Sequence, residues 1–216
     1  MVSIKVVLAD DHRLVREGLQ AILEGAPDID VVGLALEGRE TIRLVKQQKP
    51  DIVVMDIAMP RLNGIDTTKR INGLGLSTRV LALSSDSSDQ TVRDMLSAGA
   101  SGFLPKDCAG DELVQAIRTV FDGQLFLSHS VANTVVDAYL SNEANVHGEP
   151  RPRLTVRERE VLQLIAEGYS TAASADELAL SVKTIETHRQ KIMRKLKIRS
   201  IAGLTKYAIR EGLTSV

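Results

Sequence analysis

Two adjacent aspartates, Asp10 and Asp11, follow one apolar run of the chain, and a third, Asp56, follows another. Ser84 and Lys106 stand at or just beyond the ends of two more. Carboxylates held close together repel one another, and a hard divalent cation such as Mg2+, which favours oxygen ligands, relieves the repulsion. One carboxylate of such a set can attack a phosphoryl group while the cation and the lysine neutralise the oxygens in transfer. The serine hydroxyl can hydrogen-bond the group once transferred. Taken singly, each residue has a plainer role, because an Asp-Asp pair caps a helix and a lysine at a strand end is a solvated charge. Their chemistry depends on convergence, and so on the elements that carry them.

Short runs rich in branched apolar residues recur at 4–9, 29–34, 52–55, 80–83 and 102–104, the pattern of strands buried on both faces. Stretches of helical period lie between them, the first with Val15, Leu19 and Ile22 at i, i+4 and i+7. The strands end at Asp10, about Gly33, Asp56, Ser84 and Lys106, in steps of 23, 23, 28 and 22 residues, room for one crossover helix each. The expected fold is therefore α/β, a doubly wound five-stranded parallel sheet with helices on both faces. Ligands of such sheets bind beyond the C-terminal strand ends, where all five polar residues fall.

After a fifth helix over 111–121, residues 123–128 lead to a connecting helix over about 129–140. The segment 141–152, with two prolines and one aliphatic residue besides alanine, reads as linker. The expected organisation is an α/β domain over 1–122, a linker with its helix over 123–152, and a small all-α four-helix domain over 153–216. In the last, Thr155 and Glu158 form a capping box, Ser181 and Ser200 cap later helices, and Gly168 and Gly212 stop two of them.

Charge separates the two parts. Residues 151–216 hold thirteen Lys/Arg against seven Asp/Glu, whereas the first 150 hold 14 against 21. A basic module after an acidic one points to a polyanion partner for the second. Seven basic residues fall between Lys183 and Arg199 against one acid, Glu186. Ile185, His188, Ile192 and Leu196 make an apolar stripe, and Lys183, Thr187, Gln190, Arg194 and Lys197 the opposite one. A helix of ~15 residues spans ~22 Å, enough to lie in a major groove. Following a short helix and a tight turn, this reads as a helix-turn-helix rather than a solvated surface helix. Thr187 and Gln190 can reach base edges, while Lys183, Lys191 and Arg194 can contact phosphates or a guanine. Glu186 can accept from a cytosine amine or hold a neighbouring arginine, and Thr184 completes the candidate set.

Of the 216 residues, 44% are hydrophobic and 25% charged, which excludes wholesale disorder. No apolar run approaches a bilayer span, no secretory signal is visible, and a single cysteine, Cys108, allows no internal disulfide. A cytoplasmic location without membrane contact is expected. Aromatic residues at 3% argue against a stacking platform for single strands.

The segments Val7-Leu8-Ala9-Asp10-Asp11-His12, Asp51-Ile52-Val53-Val54-Met55-Asp56 running on to Gly64, Leu83-Ser84 and Gly99-Ala100-Ser101-Gly102-Phe103-Leu104-Pro105-Lys106-Asp107 resemble the receiver domain of two-component response regulators. The resemblance implies a flavodoxin-like fold in which Asp56 accepts phosphate from a cognate histidine kinase. It further implies that Asp10, Asp11, Asp56 and the Ile57 backbone carbonyl bind Mg2+, that Ser84 and Phe103 form a switch pair, and that Lys106 contacts the phosphoryl group. Pro105 precedes Lys106 and a non-proline follows, so no cis bond is expected after the lysine. Likewise Leu154-Thr155-Val156-Arg157-Glu158-Arg159-Glu160-Val161-Leu162, Ala166-Glu167-Gly168-Tyr169-Ser170, Ser181-Val182-Lys183-Thr184-Ile185-Glu186-Thr187-His188 and Ile192-Met193-Arg194-Lys195-Leu196 resemble LuxR-type DNA-binding domains, and the whole resembles the NarL/FixJ class. Ser174 departs, standing where that family has a core aliphatic residue, and a buried hydroxyl there needs a partner.

The reading is a transcriptional regulator switched by phosphorylation, dimerising on phosphorylation, binding double-stranded promoter DNA and able to meet RNA polymerase. Its catalysis would be confined to its own phosphorylation and slow dephosphorylation. A Mg2+-dependent phosphatase or phosphotransferase using an aspartyl phosphate is the rival, but the haloacid dehalogenase type needs a second aspartate where Ala58 stands. An FMN carrier would need a Ser/Thr/Gly-rich phosphate loop in place of Asp10-Asp11-His12.

Overall fold

The computed structural model describes residues 3–108, 110–142 and 154–214, which divide into two compact units. Residues 143–153, with most of the expected linker, lie outside the described residues. The first unit alternates β1 (Ile4–Ala9), α1 (Arg13–Glu24), β2 (Ile29–Ala35), α2 (Gly38–Gln48), β3 (Ile52–Asp56), α3 (Gly64–Asn72), β4 (Arg79–Ser84), α4 (Asp89–Ser97), β5 (Gly102–Pro105) and α5 (Gly110–Phe121). It then adds β6 (Phe126–Leu127) and α6 (His129–Asn142). The strands form one parallel sheet in the order β2-β1-β3-β4-β5-β6.

Strand alternation sorts the core into two layers. Val7, Ala9, Val53, Met55, Val80, Ala82 and Phe103 pack with Val45, Ile65, Ile71, Val92 and Met95 from α2, α3 and α4, and with Val131 from α6. Their neighbours Val6, Leu8, Ile52, Val54, Leu81, Leu83 and Leu104 pack with Leu23 from α1 and with Leu113, Ile117 and Val120 from α5. Burial on both faces explains why the strands read as unbroken apolar runs. Each polar residue that ends such a run is thereby delivered to the same edge of the sheet.

The sheet has six strands, not the five expected. Gly123, at φ +85°, turns the chain back after α5, and the Phe126 and Ser128 N–H groups then donate to the Ser101 and Phe103 carbonyls at 3.1 and 3.2 Å. A strand of two residues is too short to show a period. No cis peptide occurs among the described residues, as anticipated after Lys106.

The second unit contains α7 (Val156–Ala166), α8 (Thr171–Glu177), α9 (Val182–Leu196) and α10 (Ile201–Arg210), packed around Val161, Leu162, Ile165, Ile185, Ile192, Leu204 and Ala208. The capping box forms as expected: the Thr155 N–H donates to Glu158 Oε2 at 2.8 Å and the Glu158 N–H to Thr155 Oγ1 at 3.3 Å. Ser181 and Ser200 cap α9 and α10. Ser174 is fully buried, and its hydroxyl finds no hydrogen-bond partner among the described residues, so the partner the sequence demands is not met.

Glu158 also receives the Lys195 ammonium at 2.6 Å, joining the start of α7 to the end of α9. Burial pushes the Glu158 carboxyl up, but the bonds from Lys195 and Thr155 together hold it below its ordinary range. Such a group contributes stability above its unfolded pKa of about 4.3 and loses it as pH falls through the lower folded value. Glu158→Gln should therefore destabilise the second unit by about 1 kcal/mol at pH 7 and by progressively less below about pH 4. Hydrogen exchange of the α9 amides in the full chain, followed against urea at several pH values, measures both.

Candidate functional site

Asp10 leaves the end of β1 and Asp56 ends β3, and because β1 and β3 are neighbours the two carboxylates meet. They are 1% and 2% exposed. Lys106, from the end of β5, reaches across β4 and places its ammonium 2.8 Å from Asp10 Oδ2 and 2.8 Å from Asp56 Oδ2. Its backbone is fixed as well, the Lys106 N–H donating to the Ser84 carbonyl at 2.9 Å.

Each remaining carboxylate oxygen is held by backbone. The His12 N–H donates to Asp10 Oδ1 at 2.8 Å and the Ala58 N–H to Asp56 Oδ1 at 3.3 Å. Burial pushes the Asp56 carboxyl above the ordinary range, although Lys106 pulls it back. Burial also pulls the Lys106 ammonium down, but the two carboxylates outweigh it and the net shift is upward. The site thus concentrates negative charge that one ammonium only partly answers.

Asp11 joins from the start of the β1–α1 loop, its side chain 31% exposed. Single ligand atoms of Asp10, Asp11, Asp56 and His12 lie within 4.8 Å of one another. Three carboxylates at that spacing fit a hard divalent cation, by the chemistry of the donor set. Ile57 is buried, and its carbonyl accepts the Gly64 N–H at 2.8 Å, leaving one lone pair for another ligand.

Ser84 is 4% exposed at the end of β4, next to the Pro105 position of β5. Phe103 is 0% exposed in the core. Two further residues belong to the site. His12 lies with its Nδ1 3.0 Å from Asp11 Oδ1, and Arg16 donates to the Asp10 carbonyl at 2.6 Å, bracing the loop. The Asp10-Asp11-His12 adjacency is a signal for the first; Arg16 stands one helical turn on, at the i+4 position from His12.

In the second unit, α9 buries Ile185 and Ile192 and exposes Lys183, Glu186, Thr187, Gln190, Lys191 and Arg194. Thr184 belongs instead to the cap, partly buried with Oγ1 2.8 Å from Ser181 Oγ. The Thr187 hydroxyl donates back to the Lys183 carbonyl at 2.8 Å, so its methyl and a lone pair are what it offers outward.

Family comparison agrees with this geometry. Residues 6–118 match the response regulator receiver domain family and residues 152–208 the luxR family of bacterial regulatory proteins. The chain is 35% identical over 213 residues to the oxygen regulatory protein NreC of Staphylococcus carnosus, covering 97% of this chain and 98% of that one. Among solved structures it resembles the response regulator ChrA of a heme-sensing two-component system, with 32% identity, a TM-score of 0.54 and coverage of 99% and 100%. It also resembles the response regulator RcsB in complex with DNA, with 25% identity, a TM-score of 0.59 and coverage of 95% and 97%.

The site makes one glycine indispensable. A Cβ on Gly64 would overlap the Asp56 carbonyl and lie 2.9 Å from Ile57 Cα, where backbone cannot yield. Gly64→Ala should cost about 1–3 kcal/mol through displacement of the β3–α3 loop, read as a lowered thermal midpoint of the full chain. A receiver sheet with this acidic edge, joined to a LuxR-type helix-turn-helix, makes the chain a member of the NarL/FixJ class of two-component response regulators, a transcriptional regulator.

Proposed function

We propose that Asp56 is the phosphoacceptor, a reading carried above all by the Lys106 ammonium set 2.8 Å from both Asp10 and Asp56. An Asp56 oxygen attacks the phosphorus of a phosphohistidine on the cognate kinase, or of a small acyl phosphate. The bond from phosphorus to the donor breaks, and the donor leaves with its electron pair. Lys106 neutralises a phosphoryl oxygen in transfer, and Ser84 offers its O–H to the group once it rests on Asp56. Asp10, Asp11, Asp56 and the Ile57 carbonyl would hold Mg2+, which when bound would supply further charge neutralisation during the transfer. Ala58 carries no side chain able to orient a water, in keeping with slow rather than dedicated hydrolysis.

The phosphorylated receiver, residues 1–122 in this reading, favours a homodimer, and two basic modules of residues 153–216 then engage promoter DNA together, each raising the other's effective concentration. This takes place in the cytoplasm, where the bound regulator can meet RNA polymerase; no helix of the described residues is long and apolar enough to cross a membrane. Incubation with Mg2+ and acetyl phosphate should add one phosphoryl group, about 80 Da by its chemistry, and Asp56→Ala should abolish it. Full labelling of that variant in intact-mass spectra would remove Asp56 from the role.

On the exposed face of α9, base contacts set sequence preference and phosphate contacts set affinity, so the variants should fail differently. Gln190→Ala should lose about 1–3 kcal/mol of discrimination at one position of each half-site. Lys191→Ala should weaken all sequences alike and lower the salt slope by about one unit. Titration against a mapped operator and a scrambled duplex distinguishes them.

A further inference from the structure

Ser84 is tied to more than the site it faces. Its Oγ accepts the Asp86 N–H at 3.0 Å. The Asp86 carboxylate in turn accepts the Ser88 N–H at 2.9 Å, lies 3.0 Å from the Ser88 hydroxyl and accepts the Thr91 O–H at 2.6 Å. Ser88 is the N-cap of α4, its Oγ accepting the Thr91 N–H at 3.4 Å. An unbroken run of hydrogen bonds therefore leads from the strand-end hydroxyl to the first turn of α4.

Three properties make this run a mechanical link. A carboxylate has acceptor sites for all three donors at once, and bonds to an ionised acceptor are stronger than neutral ones. Its position before the α4 N-terminus is where a negative charge is favoured. Although burial pushes the Asp86 carboxyl up, these bonds together hold it below its ordinary range, so it is charged at neutral pH. Ser84 itself cannot shift as a block, since its carbonyl is held by the Lys106 N–H at 2.9 Å. Any draw on its hydroxyl falls on the Asp86 N–H. This run is a direct polar connection between the Ser84 hydroxyl and α4, which packs beside α6.

We propose that Asp86 is a positioning residue: it ties the Ser84 hydroxyl to the α4 cap, so that engagement of Ser84 by a phosphoryl group on Asp56 is transmitted to the α4 N-terminus. The proposal rests on the reading of Asp56 given above. The test uses the full chain with Mg2+ and beryllofluoride as phosphoryl mimic, and follows amide hydrogen exchange of residues 86–92 together with dimerisation.

In the wild type, beryllofluoride should change exchange across 86–92 and tighten the dimer. In Asp86→Ala, beryllofluoride should still bind within about twofold of wild type, exchange at 88–92 should already be faster without it, and the response of both readouts should shrink at least fivefold. Thr91→Val, nearly isosteric and lacking only the hydroxyl, should show the same loss in weaker form. A full response in both variants despite binding would overturn the proposal. So would unaltered exchange of 88–92 in unliganded Asp86→Ala. Absence of binding to the wild type would overturn the reading of Asp56 instead, and the inference with it.

Discussion

Asp10 and Asp56 are almost wholly withdrawn from water, and the Lys106 ammonium between them is what makes that arrangement tolerable. A buried carboxylate pair without a cation is strongly destabilising, and removing one partner from a buried ion pair leaves a charge uncompensated. The topology follows from this demand. Asp10 and Asp56 come from adjacent strands, but Lys106 comes from β5, with β4 between. Its long side chain must pass the end of β4, where the residue is a small one, Ser84, whose carbonyl also holds the Lys106 N–H. The residue whose hydroxyl would hydrogen-bond a phosphoryl group on Asp56 is thus part of the same scaffold that delivers the lysine.

The second unit solves a related problem with its basic excess. Part of that charge is structural: Lys195 lies against Glu158, and Arg157 donates to Glu160 and to the Leu178 carbonyl, both at 2.6 Å. These contacts hold α7 to α9 and to the end of α8. Another part, Lys183, Lys191 and Arg194 with Gln190 among them, stands exposed on α9. The division leaves α9 anchored on its buried side and free on the other, as the proposed reading of a major groove requires.

Much of this is legible in the sequence because parallel strands buried on both faces announce themselves as apolar runs, and the polar residue ending each run marks the site. The capping residues Thr155, Ser181 and Ser200 are legible for a similar reason, their signal being local. What escapes is short or tertiary. β6 is two residues long and owes its place to Gly123 and to carbonyls left open on β5. The burial of the Phe103 ring depends on packing that no periodicity encodes. Lys195 and Lys191 look alike as charges and are both exposed, and only the distance to Glu158 marks Lys195 as the structural one. Ser174 is the converse case, where the sequence flags a buried hydroxyl and the fold gives it no partner among the described residues.

The buried carboxylates require a cation, and in the function proposed above Lys106 and a divalent ion share that duty. Thermal unfolding of wild type and Lys106→Met at pH 7.5, in chelator and in saturating Mg2+, tests it directly. Without Mg2+ the variant should be less stable by about 3–5 kcal/mol, and Mg2+ should raise its stability by clearly more than it raises that of the wild type. Equal Mg2+ increments in the two proteins, or a variant as stable as wild type in chelator, would contradict it.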